Sequence, residues 1–219
     1  MHWKSRRGVG ARIFACLVFA SGMPSAASAL PLISEVFYDA VGSDDGQSFV
    51  ELYGTPGTDL TGLTIEGING SGGGVTVSIA LSGVIPADGI FVLADTFSGG
   101  GTAVQDADLL ASFDFQNGPD SVVLRDETSV IDALGYGEFD PDEIFAGEGT
   151  AAPDVSAGSS LARRFADVDT DDNAADWIAL AAPTPGQASL AMVPEPGAAW
   201  LLGLGLAGLA SVGRGRAPA

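Results

Sequence analysis

The 219 residues contain one histidine, one lysine and one cysteine, and His2, Lys4 and Cys16 all fall within the first sixteen positions. If the N-terminal segment is a leader that is removed, the mature chain has none of the three. A Ser-His-Asp or Cys-His nucleophile system, a Ser-Lys dyad, a Schiff-base lysine and a His/Cys zinc site each need one of those side chains, so all are excluded. Disulfides are excluded too. Positive charge is equally scarce: from Leu30 to Pro194 only Arg125, Arg163 and Arg164 oppose 27 acids, a net charge of −24. Such a surface repels nucleic acid and anionic lipid and favours cations. It also keeps a secreted protein soluble by self-repulsion. What remains for chemistry is carboxylate, amide, hydroxyl and three arginines.

The leader is legible in the residues. Lys4, Arg6, Arg7 and Arg12 form a basic start, Ile13 to Ala20 an apolar middle, and Ala27-Ser28-Ala29 a small-residue exit. This is the pattern of a secretory signal peptide over residues 1–29, with Ala27 and Ala29 forming the site for a single signal peptidase cut and the mature chain starting near Leu30. The apolar run is short for a retained anchor. Cys16 sits at the start of that run behind Ile13-Phe14-Ala15, a poor lead-in for acylation, and reads as an ordinary apolar leader residue.

Residues 30–190 have the length of one domain with one core. Val75, Val77, Ile79 and Leu81 alternate with Thr76, Ser78 and Ala80, the period of a strand with one buried face. IFVLADT (90–96) and SVVLRD (121–126) are more continuously apolar, as inner strands would be. Further strands are expected at 31–39, 48–54, 60–68, 109–113, 129–137 and 176–181. Breakers such as SDDG (43–46), TPGTD (55–59), SGGG (71–74) and QNGPD (116–120) separate them. No segment of the domain sustains a helical period with caps. Short strands at regular spacing predict an all-β sandwich or barrel.

The order of motifs is then recognisable: LISEVFYD (32–39), FVELY (49–53), DLTGLTIEG (59–67), IPADGIFVLAD (85–95), SVVLRDETSVIDALGYG (121–137), SLARR (160–164), DVDTDDNAADW (167–177) and PTPG (183–186). This succession resembles a bacterial lamin-tail domain, which implies an immunoglobulin-like β-sandwich. Gly54 stands where that family usually has Asn, and Leu63 where it often has Trp, so one loop contact and one core anchor are expected to differ. Independently of the family, Phe49, Glu51 and Tyr53 share one face of their strand and Val50 and Leu52 the other.

The densest chemical cluster is DVDTDDNAAD (167–176). Asp167, Asp169, Asp171, Asn173 and Asp176 are oxygen ligands of the type a hard cation such as calcium takes. The loop departs from an EF-hand, with Asp172 in place of the turn glycine and Ile178 in place of the bidentate Glu. A solvated acidic turn, with Asp side chains capping local amides, accounts for the same residues. Two other patterns carry little. Gly203, Gly205 and Gly208 match G-x-G-x-x-G, but only eleven residues follow, too few for the βαβ unit the motif needs. Glu35 and Glu51 could form a glycosidase pair, yet among 27 acids some pair always lies at a suitable distance.

The segment 191–219 ends the chain in apolar residues followed by arginines. Gly197 to Val212 is 16 residues without a charge, about 24 Å as a helix against a hydrocarbon core of about 30 Å. This is a marginal transmembrane helix. Arg214 and Arg216 beyond it would stay in the cytoplasm and leave the acidic domain outside. With Val193-Pro194-Glu195-Pro196 in front, the tail resembles the PEP-CTERM sorting signal. That resemblance implies processing by exosortase, a membrane transpeptidase of Gram-negative bacteria that often make extracellular polysaccharide. An ordinary tail anchor is the plainer alternative.

The sequence thus predicts a non-enzymatic, exported structural or binding module. It is tethered transiently to the inner membrane by its C-terminal helix and then released to the cell surface or extracellular matrix. Its processing partners would be signal peptidase and exosortase, and its ligands extracellular polysaccharide or other surface proteins, not nucleic acid. No cofactor is expected beyond calcium at the acidic loop. The alternative is a secreted carboxylate-based or metal-dependent hydrolase.

Overall fold

Strict alternation of side chains decides where the backbone runs straight, and Gly, Pro and Asp clusters decide where it turns. The structure, a computed structural model, describes residues 30–191; the leader with Ala27 and Ala29, the residues Val193, Pro194, Glu195, Pro196, Arg214 and Arg216, and the apolar segment 197–212 lie outside the described residues. Ten strands form: β1 (Leu32–Phe37), β2 (Phe49–Tyr53), β3 (Thr64–Asn69), β4 (Val75–Ala80), β5 (Ile90–Asp95), β6 (Leu109–Ala111), β7 (Asp120–Arg125), β8 (Val130–Tyr136), β9 (Ser160–Arg163) and β10 (Trp177–Leu180). One helical turn, α1 (Asn173–Asp176), precedes β10. Among the described residues no helix is long and apolar enough to cross a membrane.

The strands make a six-stranded sheet in the order β10-β9-β1-β2-β5-β6 and a four-stranded sheet in the order β4-β3-β7-β8. All pairings are antiparallel except β5 with β6. The two continuously apolar stretches, β5 and β7, are interior strands of their sheets, buried on both faces as their sequences require. Between the sheets lies a core that includes Ile33, Val36, Val50, Leu52, Phe91, Leu93, Val122, Leu124, Leu134 and Trp177. Tyr38 and Tyr136 stack across it with ring centroids 4.3 Å apart.

The outer face of the six-stranded sheet is also covered. Phe37, Phe49, Ile90 and Val92 form a second cluster there, with Tyr53, Val104 and Ala188 packed against it. The β2 faces are as the alternation predicted: Val50 and Leu52 enter the main core, and Phe49 and Tyr53 the outer cluster. Gly54 closes that strand because a Cβ there would lie 2.6 Å from the Ile85 side chain. A bulge between Ile33 and Glu35 in β1 interrupts the ladder with β2. The freed Ile33 N–H donates to Asp132 of β8, joining the two sheets.

Candidate functional site

Glu35 and Glu51 sit directly opposite each other on β1 and β2, and both are buried. Glu35 accepts hydrogen bonds from the Ser160 hydroxyl and from the backbone N–H and hydroxyl of Thr184. Glu51 accepts from the Ser34 hydroxyl at 2.7 Å and the Gly186 N–H at 2.9 Å. Each of the four oxygens therefore has a donor, and the donors from Thr184 and Gly186 bring the PTPG segment across the outer face of the sheet. Burial pushes the Glu51 carboxyl up to about 7, with Glu35 beside it adding to the rise and the Ser34 hydroxyl opposing it. Beside this strap runs an open groove of about 320 Å³, lined by Phe37, Gln47, Phe49, Val104, Pro183 and Pro185 among others.

The acidic loop folds around a different centre. Arg163, at the end of β9, is fully buried at its side chain. Its guanidinium pairs with Asp132 at 2.5 Å, Asp176 at 3.1 Å and Asp169 at 3.3 Å. It also donates to the carbonyls of Ile33 and Val168 and lies 5.1 Å from the centre of the Trp177 ring. The planar fork of arginine suits this arrangement, because its donors can reach several carboxylates at once.

The five residues expected to ligate calcium are not gathered around one point by this loop. Asn173 is buried: its Oδ1 accepts from the N–H groups of Gly135 and Glu148, and its Nδ2 donates to Ala133. Asp176 accepts from Arg163 and from the N–H and hydroxyl of Thr170. Asp167 caps the Ala191 N–H. Asp169 accepts from Arg163 and the Asp171 N–H, and Asp171 is exposed with φ of 55°.

Asp169 instead meets two acids that the sequence reading passed over. Carboxylate oxygens of Asp132, Glu148 and Asp169 lie within 4.8 Å of one another. Oε2 of Glu148 is buried without a hydrogen-bond partner. Burial, reinforced by Asp132 and Asp169, raises the Glu148 carboxyl to about 7. The sequence held one signal of this centre, two of the domain's three arginines in the SLARR motif at 160–164. Nothing in it announced Glu148, which arrives from the loop between β8 and β9. A further acidic groove of about 560 Å³ is lined by Asp44, Asp45, Asp95 and Asp114, among others. Both Asp95 oxygens there already accept backbone N–H groups, from Gly46 and Phe113.

The described chain ends just before the tail. Ala166 N–H donates to Ser189 and Asp167 accepts from Ala191, two residues ahead of Val193. No curated protein matches the chain at a significant level. The PEP-CTERM protein-sorting motif matches residues 193–216. The match includes Val193, Pro194, Glu195 and Pro196 and both terminal arginines. It covers the tail and not the sandwich. The chain therefore carries a PEP-CTERM sorting signal, the mark of an exported protein passed to exosortase for delivery to the cell surface.

Proposed function

We propose that this protein is a non-enzymatic structural or binding module of the cell surface or extracellular matrix of a Gram-negative bacterium, built on an immunoglobulin-like sandwich of the lamin-tail type. The observation that carries this reading is the sorting motif, which begins two residues beyond the folded body. Export agrees with the acidic composition of the domain, since such a surface stays soluble by self-repulsion. Two features of the fold support a module over a hydrolase. The space between the sheets is filled by side chains, and the facing carboxylates Glu35 and Glu51 are occupied in holding the chain's own PTPG segment. Extracellular polysaccharide or other surface proteins are the proposed ligands. Mass spectrometry of the surface fraction tests delivery: the recovered protein is expected to lack the segment after Pro196. Replacing Pro194-Glu195-Pro196 by alanines should strand the full chain in the inner membrane. A surface protein that retains its apolar tail, or indifference to the alanines, defeats the reading.

A second reading is favoured by the orphaned Glu148 oxygen: a divalent cation, calcium by the hardness of the oxygen ligands, held by Asp132, Glu148 and Asp169. One guanidinium does not balance the four carboxylates around it, and a cation would reduce the excess. Binding at a hundredfold over the dissociation constant would add about 2.7 kcal/mol. Melting in millimolar calcium is compared with an ionic-strength-matched sodium control, for wild type and Glu148→Gln. Equal gains in calcium and sodium, or an undiminished calcium gain in Glu148→Gln, would remove the cation from the account.

A further inference from the structure

An asparagine side chain can be attacked by the backbone nitrogen of the residue that follows it, and asparagine is thermolabile for this reason. Glycine in the following place lets the two groups approach, because it has no Cβ. The chain contains three asparagines, Asn69, Asn117 and Asn173, and the first two precede glycine. Aspartate before glycine is open to the same attack, at Asp45-Gly46 and Asp88-Gly89. Of these four steps into glycine, the fold closes three and leaves one open.

At the three closed steps the glycine is buried and its N–H is engaged. Gly46 donates to Asp95 at 2.6 Å, Gly89 to the Pro86 carbonyl at 3.1 Å, and Gly70 to Asp120 at 2.8 Å and the Pro119 carbonyl at 3.2 Å. A nitrogen held in this way must break its bond before it can give up its proton and attack. Asn69 is also pinned on its own account: its N–H donates to Gly74, its carbonyl accepts from Gly73, and its Oδ1 accepts from the Ser71 N–H at 2.6 Å. Asn173 is fully buried with both amide atoms bonded, and the N–H after it, on Ala174, donates to Thr150 at 2.8 Å.

Asn117 is the exception. It is exposed, and its side chain makes no hydrogen bond among the described residues. Gly118 is exposed as well, and its N–H has no acceptor among the described residues. Gly118 also lines two open grooves, of about 290 and 600 Å³, so water reaches both faces of the reaction. We propose that Asn117 is a site of spontaneous deamidation. The Gly118 nitrogen loses its proton and forms a bond to Cγ of Asn117; the Cγ–NH2 bond breaks, and ammonia leaves with that proton. Water then opens the resulting five-membered imide. Attack at Cγ gives aspartate, and attack at the backbone carbonyl gives isoaspartate. Nothing is oxidised or reduced, and water is the only co-reactant.

Either product adds a negative charge to a body that already carries −24. Isoaspartate does more, because it inserts a methylene into the main chain between Gln116 and Gly118. Tyr136 holds both of those neighbours: its hydroxyl donates to the Gln116 carbonyl at 2.7 Å, and its ring lies 3.1 Å from where a Cβ on Gly118 would stand. The isoaspartyl form therefore disturbs the loop at the point where it is fastened to the core. The site does not depend on the delivery reading, because it rests on the folded body alone.

The test uses the exported protein from its own host, whatever length of tail it retains, stored in neutral buffer made with water enriched in heavy oxygen. Peptide mass spectrometry over time is expected to show aspartyl and isoaspartyl forms at position 117, each carrying the heavy oxygen. Asn69 should convert at least tenfold more slowly, and Asn173 should stay intact. In denaturant the protection is gone, and Asn69 should approach the rate of Asn117. Isoelectric focusing of the folded protein should show a more acidic form growing with time. Asn117→Gln should not develop it, since the longer side chain would have to close a larger ring. An intact Asn117 in the folded protein over a time that converts the denatured chain, Asn69 keeping pace with Asn117 in the folded protein, or an acidic form undiminished in Asn117→Gln overturns the inference.

Discussion

Glu35 and Glu51 face each other with neutral donors only, whereas Asp132, Asp169 and Asp176 close on the guanidinium of Arg163. Both groups of acids lie in one sandwich, and the difference shows two ways of keeping carboxylates out of water. A counter-charge opposes the burial that still raises the Asp132 carboxyl to about 6, and it makes the local fold depend on that one arginine. Hydroxyl and amide donors satisfy the oxygens without cancelling the charge, and the carboxyl compensates by holding its proton to higher pH. Raised pH should therefore weaken both, and only the first should fail when its cation is removed.

The largest effect is expected at the cationic centre. Arg163→Ala leaves Asp132 and Asp176 buried without a counter-charge, a loss of about 3–5 kcal/mol or more. For a domain of this size that lowers the melting temperature by about 10 °C, and calorimetry or circular dichroism would show it. Arg163→Lys keeps the charge but lacks the fork, so it should recover only part of the loss. A fully stable alanine variant would show that the carboxylates, not the arginine, organise the loop.

Next comes pH. The Glu51 carboxyl stands near 7 in the folded protein against an ordinary 4.5. Between those values the folded state holds a proton that the unfolded chain has released, so stability falls as pH rises through the window and levels off above it. The contribution is of order 3 kcal/mol at one pKa unit per 1.4 kcal/mol. Glu51→Gln should flatten that part of the profile, and the falls due to Glu148 and Asp132, of the same sign, should remain. An unchanged slope in Glu51→Gln would place the pH sensitivity elsewhere.

Smaller still is Thr184→Val, which removes the hydroxyl bound to Glu35 at 2.7 Å. About 1 kcal/mol is expected from one hydrogen bond, with activity of the sorting signal unchanged. The smallest effect is expected from Asp171→Asn, at an exposed position, within about 0.5 kcal/mol in sodium or calcium. A calcium response that disappears in Asp171→Asn would return the cation to the loop and remove it from Glu148.

The strands were legible wherever alternation or a long apolar run marked them, as in VTVSIAL for β4 and IFVLADT for β5. β9 escaped because its four residues are all buried and show no alternation, and because it ends in arginine. Only the tertiary contact with Asp132 and Asp176 makes an arginine suitable there. The single turn α1 is too short to show a helical period, and Asn173 at its start is fixed by Gly135 and Glu148 from remote segments. At the candidate sites, the acidic loop was visible as a cluster, but its true partners were not. Asp132, Glu148 and Arg163 approach through sheet packing, which no local spacing encodes. The pair Glu35 and Glu51 was visible as two acids, and their partner, the PTPG strap, was visible as a motif. Their meeting depends on the chain returning across the outer face after β10.

That return gives the molecule a mechanical polarity. A pull on the C-terminal end reaches the Asp167–Ala191 and Ala166–Ser189 bonds first, then Gly186 on Glu51, then Thr184 on Glu35, and only afterwards the ladder of β10. The bonds lie in series along the strap, so they yield one at a time, as in peeling, while the sandwich carries little load. Force applied at that end is thus spent on a renewable seam, and the two sheets keep their shape until the strap has been stripped away.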